Sequence, residues 1–219
     1  MSTWLVTGAN RGIGLELCRQ VTARGDTVIA ACRAASPALR AVGCRVVEGI
    51  EVTDPASLRQ LAAALGDTRL DVLVNNAGVL SVESLGRLDC DAMRRQFEVN
   101  ALGPLRVTDE LLPRLGSGSK VAIVTSRMGS IADNCSGGYH GYRMSKAAVN
   151  AAGVSLARDL EGRGIAVLLL HPGMVATDMT GGTGIPPAQS AAMLITQIDR
   201  LGLAESGSFH HANGDVLPW

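Results

Sequence analysis

A short strand that runs into three closely spaced glycines and then at once into a helix leaves a chain few folds to choose from. Residues 4–7 lead into Thr7-Gly8-Ala9-Asn10-Arg11-Gly12-Ile13-Gly14, and a helical stretch over 12–24 begins within this turn at Gly12. In such a turn the missing side chains let backbone amides approach a pyrophosphate, and the helix N-terminus adds partial positive charge. A ligand-free tight turn could look similar, but its place between a strand and an amphipathic helix favours a nucleotide site.

The rest of the chain repeats the same strand-then-helix rhythm. Short β-branched runs at 27–31, 44–48, 71–75, 120–125, 165–171 and 207–210 alternate with helical stretches at 54–65, 90–115, 139–161 and 187–201. Asp54 (or Thr53) is placed to cap its helix, with Pro55 at the first helical position, where a missing N–H costs nothing. Gly103-Pro104 predicts an irregularity within 90–115. Residues 34–43 have room for no more than about two turns. The expected fold is therefore a doubly wound α/β sheet of about seven parallel strands, with the site at the strands' C-terminal edges. Residues 174–189, rich in glycine, would be a brief lid, loose without substrate.

Composition supports a parallel sheet covered on both faces. Hydrophobic residues make up 47% of the chain and aromatics only 3%, so the core must be Val, Leu, Ile and Ala. The 219 residues suit one domain spanning 1–219. Twenty basic residues balance twenty acidic ones, which argues against nucleic acid or an anionic membrane as a partner. No apolar run approaches the ~20 residues that span a bilayer, and residues 1–6 show no basic region followed by an apolar one. Five scattered cysteines read as free thiols. A cytoplasmic protein is expected.

Several polar groups stand where strands end. Asn75-Asn76-Ala77-Gly78 follows the fourth strand, Asn100 lies in the next helix, and Thr125-Ser126 closes the fifth strand. Tyr142-Arg143-Met144-Ser145-Lys146 lies in the long helix after it, and four residues separate its phenol and ammonium, so both share a face. Pro172-Gly173 ends the sixth strand, with Val175 and Thr177 just beyond. In this order and spacing, the set resembles the short-chain dehydrogenase/reductase family over nearly the whole chain. Within it, the Thr-Gly-Ala-Asn-Arg-Gly-Ile-Gly turn, residues 137–146 and the stretch from Gly207 to Trp219 are most similar to the C-factor/sniffer-like carbonyl reductase group.

The resemblance implies a Rossmann-like fold and hydride transfer between a nicotinamide and a carbonyl or alcohol. It implies Tyr142 as general acid/base and Lys146 as the cation that favours its phenolate and holds the nicotinamide ribose. Asn100 would anchor a proton-relaying water, and Ser126 would hold the substrate oxygen. Tyr139 is the weaker tyrosine, because Arg143 and not lysine follows it by four. Ser130, twelve residues before Tyr142 where Ser126 is sixteen, has the commoner family spacing and stays the alternative. Ser126 is preferred for its place at a strand's C-terminal end. Gly8, Asn10, Arg11, Gly12, Ile13, Gly14, Arg33, Glu51, Val52, Asn76, Ala77, Gly78, Pro172, Gly173, Val175 and Thr177 complete the expected cofactor contacts. The second strand ends Ala31-Cys32-Arg33 with no acid for a ribose diol, while Arg11 and Arg33 can meet a 2′-phosphate. NADPH (or NADP) is the expected cofactor.

The resemblance further implies a homodimer or tetramer built on residues 90–115 and 139–161, with Ala147, Ala148, Ala151, Ala152 and Gly153 offering a small-residue surface. C-factor-like members are tied to intercellular signalling, so nucleotide binding with little turnover is the second reading. No metal is expected: the adjacent His210 and His211 would point to opposite faces of a strand. Met128, Met174, Met179 and Met193 could line an apolar pocket or fill the core.

Overall fold

The computed structural model describes all 219 residues, Met1–Trp219. Seven parallel strands form one sheet in the order β3-β2-β1-β4-β5-β6-β7. They are β1 (Thr3–Thr7), β2 (Thr27–Ala31), β3 (Arg45–Val47), β4 (Leu70–Asn75), β5 (Leu115–Val124), β6 (Ala166–His171) and β7 (Phe209–His211). Strand side chains alternate between the two faces. Leu5, Ile29, Leu73, Val121, Ile123, Val167 and Leu169 accordingly join one apolar cluster, and Trp4, Val6, Val28, Ala30, Val74, Ala122, Leu168 and Leu170 the other. Both are covered by helices, so the strands tolerate near-continuous hydrophobicity.

Helix α1 (Gly12–Ala23) and α7 (Pro187–Arg200) cover the second cluster. On the opposite face lie α3 (Pro55–Leu65), α5 (Gly103–Leu111) and α6 (His140–Glu161), with α4 (Cys90–Phe97) packed against α6. A single turn, α2 (Pro37–Arg40), joins β2 to β3. Asp54 does cap α3, accepting from the Ala56 N–H at 2.9 Å. Since β2 and β3 lie on one side of β1 and β4 on the other, the chain reverses direction at the β1/β4 boundary. A crevice must open there at the C-terminal strand ends.

The irregularity expected within 90–115 is a π-helical turn at Glu98–Leu102 that separates α4 from α5, and a 3₁₀ turn at Leu112–Arg114 precedes β5. Pro104 explains the break, since it has no N–H to offer the carbonyl of residue 100. Other expectations needed correction: β5 begins at Leu115 and not at 120. The last strand lies at Phe209–His211 and not at 207–210, because Gly207 takes a left-handed φ of 83° and the Ser208 hydroxyl bonds the Glu205 carbonyl in a turn. Residues 174–189 are held by a parallel bridge between Val175 and Ile185, with the Ala176 N–H donating to the Ile185 carbonyl at 2.9 Å. No helix is long and apolar enough to cross a membrane.

Candidate active site

At the C-terminal ends of β1, β2, β4, β5 and β6 a cavity of about 400 Å³ opens along the crevice. The glycine turn forms one wall. Gly8 has φ 65°, and a Cβ there would come within 2.9 Å of the Ala77 backbone. Gly14 sits just behind it, where a Cβ would collide with the Gly8 carbonyl oxygen and lie 2.6 Å from the Asn76 amide. Asn76 is a strut: its Nδ2 donates to the Thr7 carbonyl at 2.9 Å and to that of Gly8 at 3.2 Å. The Thr7 hydroxyl accepts in turn from the N–H groups of Asn76 and Ala77. The segment after β4 is thus tied to the turn after β1.

Gly8, Asn10, Arg11, Gly12, Ile13, Arg33, Glu51, Val52, Asn76, Ala77, Gly78, Pro172 and Thr177 all line this cavity, together with Tyr142 and Lys146. Gly14, Gly173 and Val175 lie outside its wall. Gly14 is packed under the turn, and Val175 is buried by its bridge to Ile185. Cys32, Arg95, Val99, Asp178 and Pro187 also line it and were not expected from the sequence, and of Met128, Met174, Met179 and Met193, Met179 alone does so. Arg95 and Val99 carry a readable sign, four residues apart on one helical face. Asp178 carries none, because it reaches the site through an ion pair with Arg11 at 2.5 Å. Arg33 likewise faces Glu51 at 3.7 Å. The two guanidiniums expected to meet a phosphate are therefore each beside a carboxylate.

Deeper in, α6 brings Tyr142 and Lys146 together. Both are buried, with the ammonium 5.7 Å from the centre of the phenol ring. Burial pushes Tyr142 up to about 12, and the neighbouring Ser126 opposes that shift. Burial alone brings Lys146 down to about 8, while its Nζ donates to the Val124 carbonyl at 2.9 Å. Ser126 caps the 3₁₀ turn Arg127–Gly129, accepting from the Met128 N–H at 3.1 Å. Ser130 is occupied elsewhere: its hydroxyl accepts from the Asp133 N–H at 3.1 Å. Of the two serines, Ser126 is the one that acts on the Tyr142 phenol. Tyr139 is the left-handed residue before α6, with φ 52° and no cap from its side chain.

Asn100 lies in the middle of the π turn, buried behind the cavity wall. Its Oδ1 accepts from the Val79 N–H at 2.8 Å, and its Nδ2 donates to the Val79 carbonyl at 2.8 Å and to Ser145 Oγ at 3.0 Å. It thereby joins α6 to the segment after β4. His171 and His211, at adjacent strand ends, meet edge to face at 4.9 Å, and burial brings His171 down to about 3. No group of three metal-ligating side chains comes together.

The chain matches the family described as short chain dehydrogenase over residues 2–185. It is 47% identical to 1-hydroxy-2-glutathionyl-2-methyl-3-butene dehydrogenase of Rhodococcus sp. (strain AD45), over the whole of both chains. It is 46% identical over 166 residues to C-signal of Myxococcus xanthus, a match that covers 74% of this chain and all of that one. The NADPH-bound carbonyl reductase from chicken fatty liver superposes with a TM-score of 0.92 at 29% identity, covering 100% of this chain and 99% of that one. With its glycine turn, its tyrosine–lysine helix and these relatives together, the chain belongs to the short-chain dehydrogenase/reductase family and is an oxidoreductase of that family.

Proposed function

We propose that this chain is an NADPH-dependent carbonyl reductase of the C-factor/sniffer-like group, the whole of 1–219 acting as one nucleotide-binding domain. The observation that carries the reading is the buried Tyr142–Lys146 pair, with Ser126 at the phenol, on the wall of a cavity whose far end is a glycine turn. The residues fit the cofactor. Bare glycines and the α1 N-terminus suit a pyrophosphate, and Arg11 and Arg33 suit a 2′-phosphate where no acid suits a diol. Their present partners are an exposed Asp178 and a half-buried Glu51 at 3.7 Å, and loose solvent-accessible pairs are worth about 1 kcal/mol or less, so a phosphate dianion can displace them.

Bound NADPH supplies the hydride. Tyr142 gives its proton to the carbonyl oxygen, and Ser126 donates a hydrogen bond to the same oxygen. In the unliganded site the phenol stays protonated, because burial opposes its charge. Lys146, held by Val124, orients the ribose and replaces the proton that Tyr142 gives up. Asn100 fixes the π turn beside that relay. A cytoplasmic homodimer is part of the same reading, supported by the exposed apolar residues Phe97, Leu105 and Met144 on α4, α5 and α6.

The test is a screen of NADPH oxidation with aldehydes, ketones and quinones, and of NADP reduction with alcohols. Because the Rhodococcus relative is named for a glutathionyl alcohol, the alcohols should include a glutathione thioether bearing a vicinal hydroxyl. Turnover in either direction supports the reading. Tight NADPH binding without turnover on any of them would instead favour the nucleotide-binding signalling role suggested by C-signal.

A further inference from the structure

Glu83 is a carboxylate at 2% exposure whose side-chain hydrogen-bond partners are all neutral. Acidic side chains are almost never buried so deeply unless they are paired, so its retention calls for a reason. Its three partners come from three segments. Oε1 accepts from Ser81 Oγ at 2.5 Å and from Gln96 Nε2, on α4, at 2.7 Å. Oε2 accepts from the Gly141 N–H at 3.2 Å. Gly141 lies in the first turn of α6, directly before Tyr142.

That helix needs an outside cap. Its own preceding residue, Tyr139, is left-handed and makes no side-chain cap, so the first-turn N–H groups lack the usual local acceptor. The Glu83 carbonyl also accepts from the Tyr139 N–H at 3.3 Å, so one residue holds both the entry to the helix and its first turn. A carboxylate at a helix N-terminus also meets the positive end of the helix dipole. The fit is close: a Cβ on Gly141 would lie 2.5 Å from Gln96 Nε2 and 2.8 Å from Met93 Cγ.

We infer that Glu83 is a positioning residue for the hydride-transfer reaction, setting the height and tilt of Tyr142 by clamping the first turn of α6 to α4 and to the segment after β4. The inference rests on Tyr142 being the proton donor. A small displacement of a reacting group costs on the order of 100-fold in rate, so the loss should fall on turnover and leave cofactor binding alone.

The experiment compares kcat, carbonyl KM, NADPH affinity by fluorescence and thermal midpoint for the unmutated enzyme, Glu83→Ala, Glu83→Gln, Tyr142→Phe and the Glu83→Ala/Tyr142→Phe pair. Glu83→Ala should lose about 10- to 100-fold in kcat at unchanged NADPH affinity. Glu83→Gln can still accept from Gly141 and should recover most of that loss. The double variant should be no slower than Tyr142→Phe, because a residue that acts only through Tyr142 has nothing left to position. If Glu83→Ala does not fold, Glu83→Gln and Gln96→Ala should each show a smaller fall of the same kind. Full kcat in the Glu83 variants, a parallel fall of rate and NADPH affinity, or a multiplicative loss in the double variant would overturn the inference. Should Tyr142→Phe itself keep the full rate, the reading of the site fails. Should Tyr142→Phe be slow and Glu83→Ala fast, this inference alone fails.

Discussion

Arg33 and Lys146 show how single side chains in this site are set by their surroundings. Arg33 stands free at the end of β2, leaning on Glu51 at a distance where water competes well. Replacing it with aspartate exchanges attraction for repulsion at a 2′-phosphate. We predict that Arg33→Asp lowers NADPH affinity by roughly 10- to 100-fold, as one charge-assisted bond is worth ~1.5–3 kcal/mol, while NADH affinity holds or improves. Calorimetric titration of both nucleotides checks this, and equal affinity for the two in the unmutated protein would refute it. Lys146 is instead enclosed. Its pKa falls from near 10.5 unfolded to about 8 folded, so between those values the unfolded chain binds more protons. The cost of burying the ammonium is thus full below pH 8 and relieved as pH rises. Tyr142, raised to about 12, works against stability only above about 10. The difference in unfolding free energy between the unliganded protein and Lys146→Met should shrink steadily from pH 8 to 10, as read by urea denaturation. A difference flat across that window would show that Lys146 is not desolvated.

At the scale of elements, the glycine turn is the part that tolerates least. Because a Cβ at Gly14 collides with the Gly8 carbonyl, Gly14→Ala should force α1 away from the turn and abolish measurable nucleotide binding. Its thermal midpoint should fall, whereas Gly25→Ala, at a position open to solvent, should keep full nucleotide affinity. Elements of this kind were legible in the chain because their causes are local: Pro55 opens α3, the glycines bend the strand into α1, and Val/Leu/Ile runs make the strands. The π turn was half legible. Pro104 announced a break, but the width of the break depends on Asn100 reaching across to Val79 and Ser145. What could not be read at all were contacts between distant segments. Arg11 with Asp178 and Glu83 with Gly141 each depend on how loops fold back over the sheet.

For the whole molecule, the faces around α4–α5 and α6 decide the assembly. Gly153 is turned inward, its bare face against Leu169, so it belongs to the sheet packing and not to an outer surface. Ala151, Met144, Phe97 and Leu105 remain outside. We predict a two-fold dimer through this face, seen as twice the 22.7 kDa chain mass by light scattering, and a monomer for Phe97→Glu. A monomeric unmutated protein at micromolar concentration would refute it. The candidate active site is lined within one chain, and one substitution addresses it most directly. Tyr142→Phe keeps the ring and its packing but removes the hydroxyl on which Ser126 acts. With a carbonyl substrate from the screen, kcat should fall by ~10²–10⁴-fold at unchanged NADPH affinity, Ser126→Ala should follow it in kind, and Ser130→Ala should not. A Tyr142→Phe enzyme turning over at the full rate would contradict the proton-donor role on which the mechanism stands.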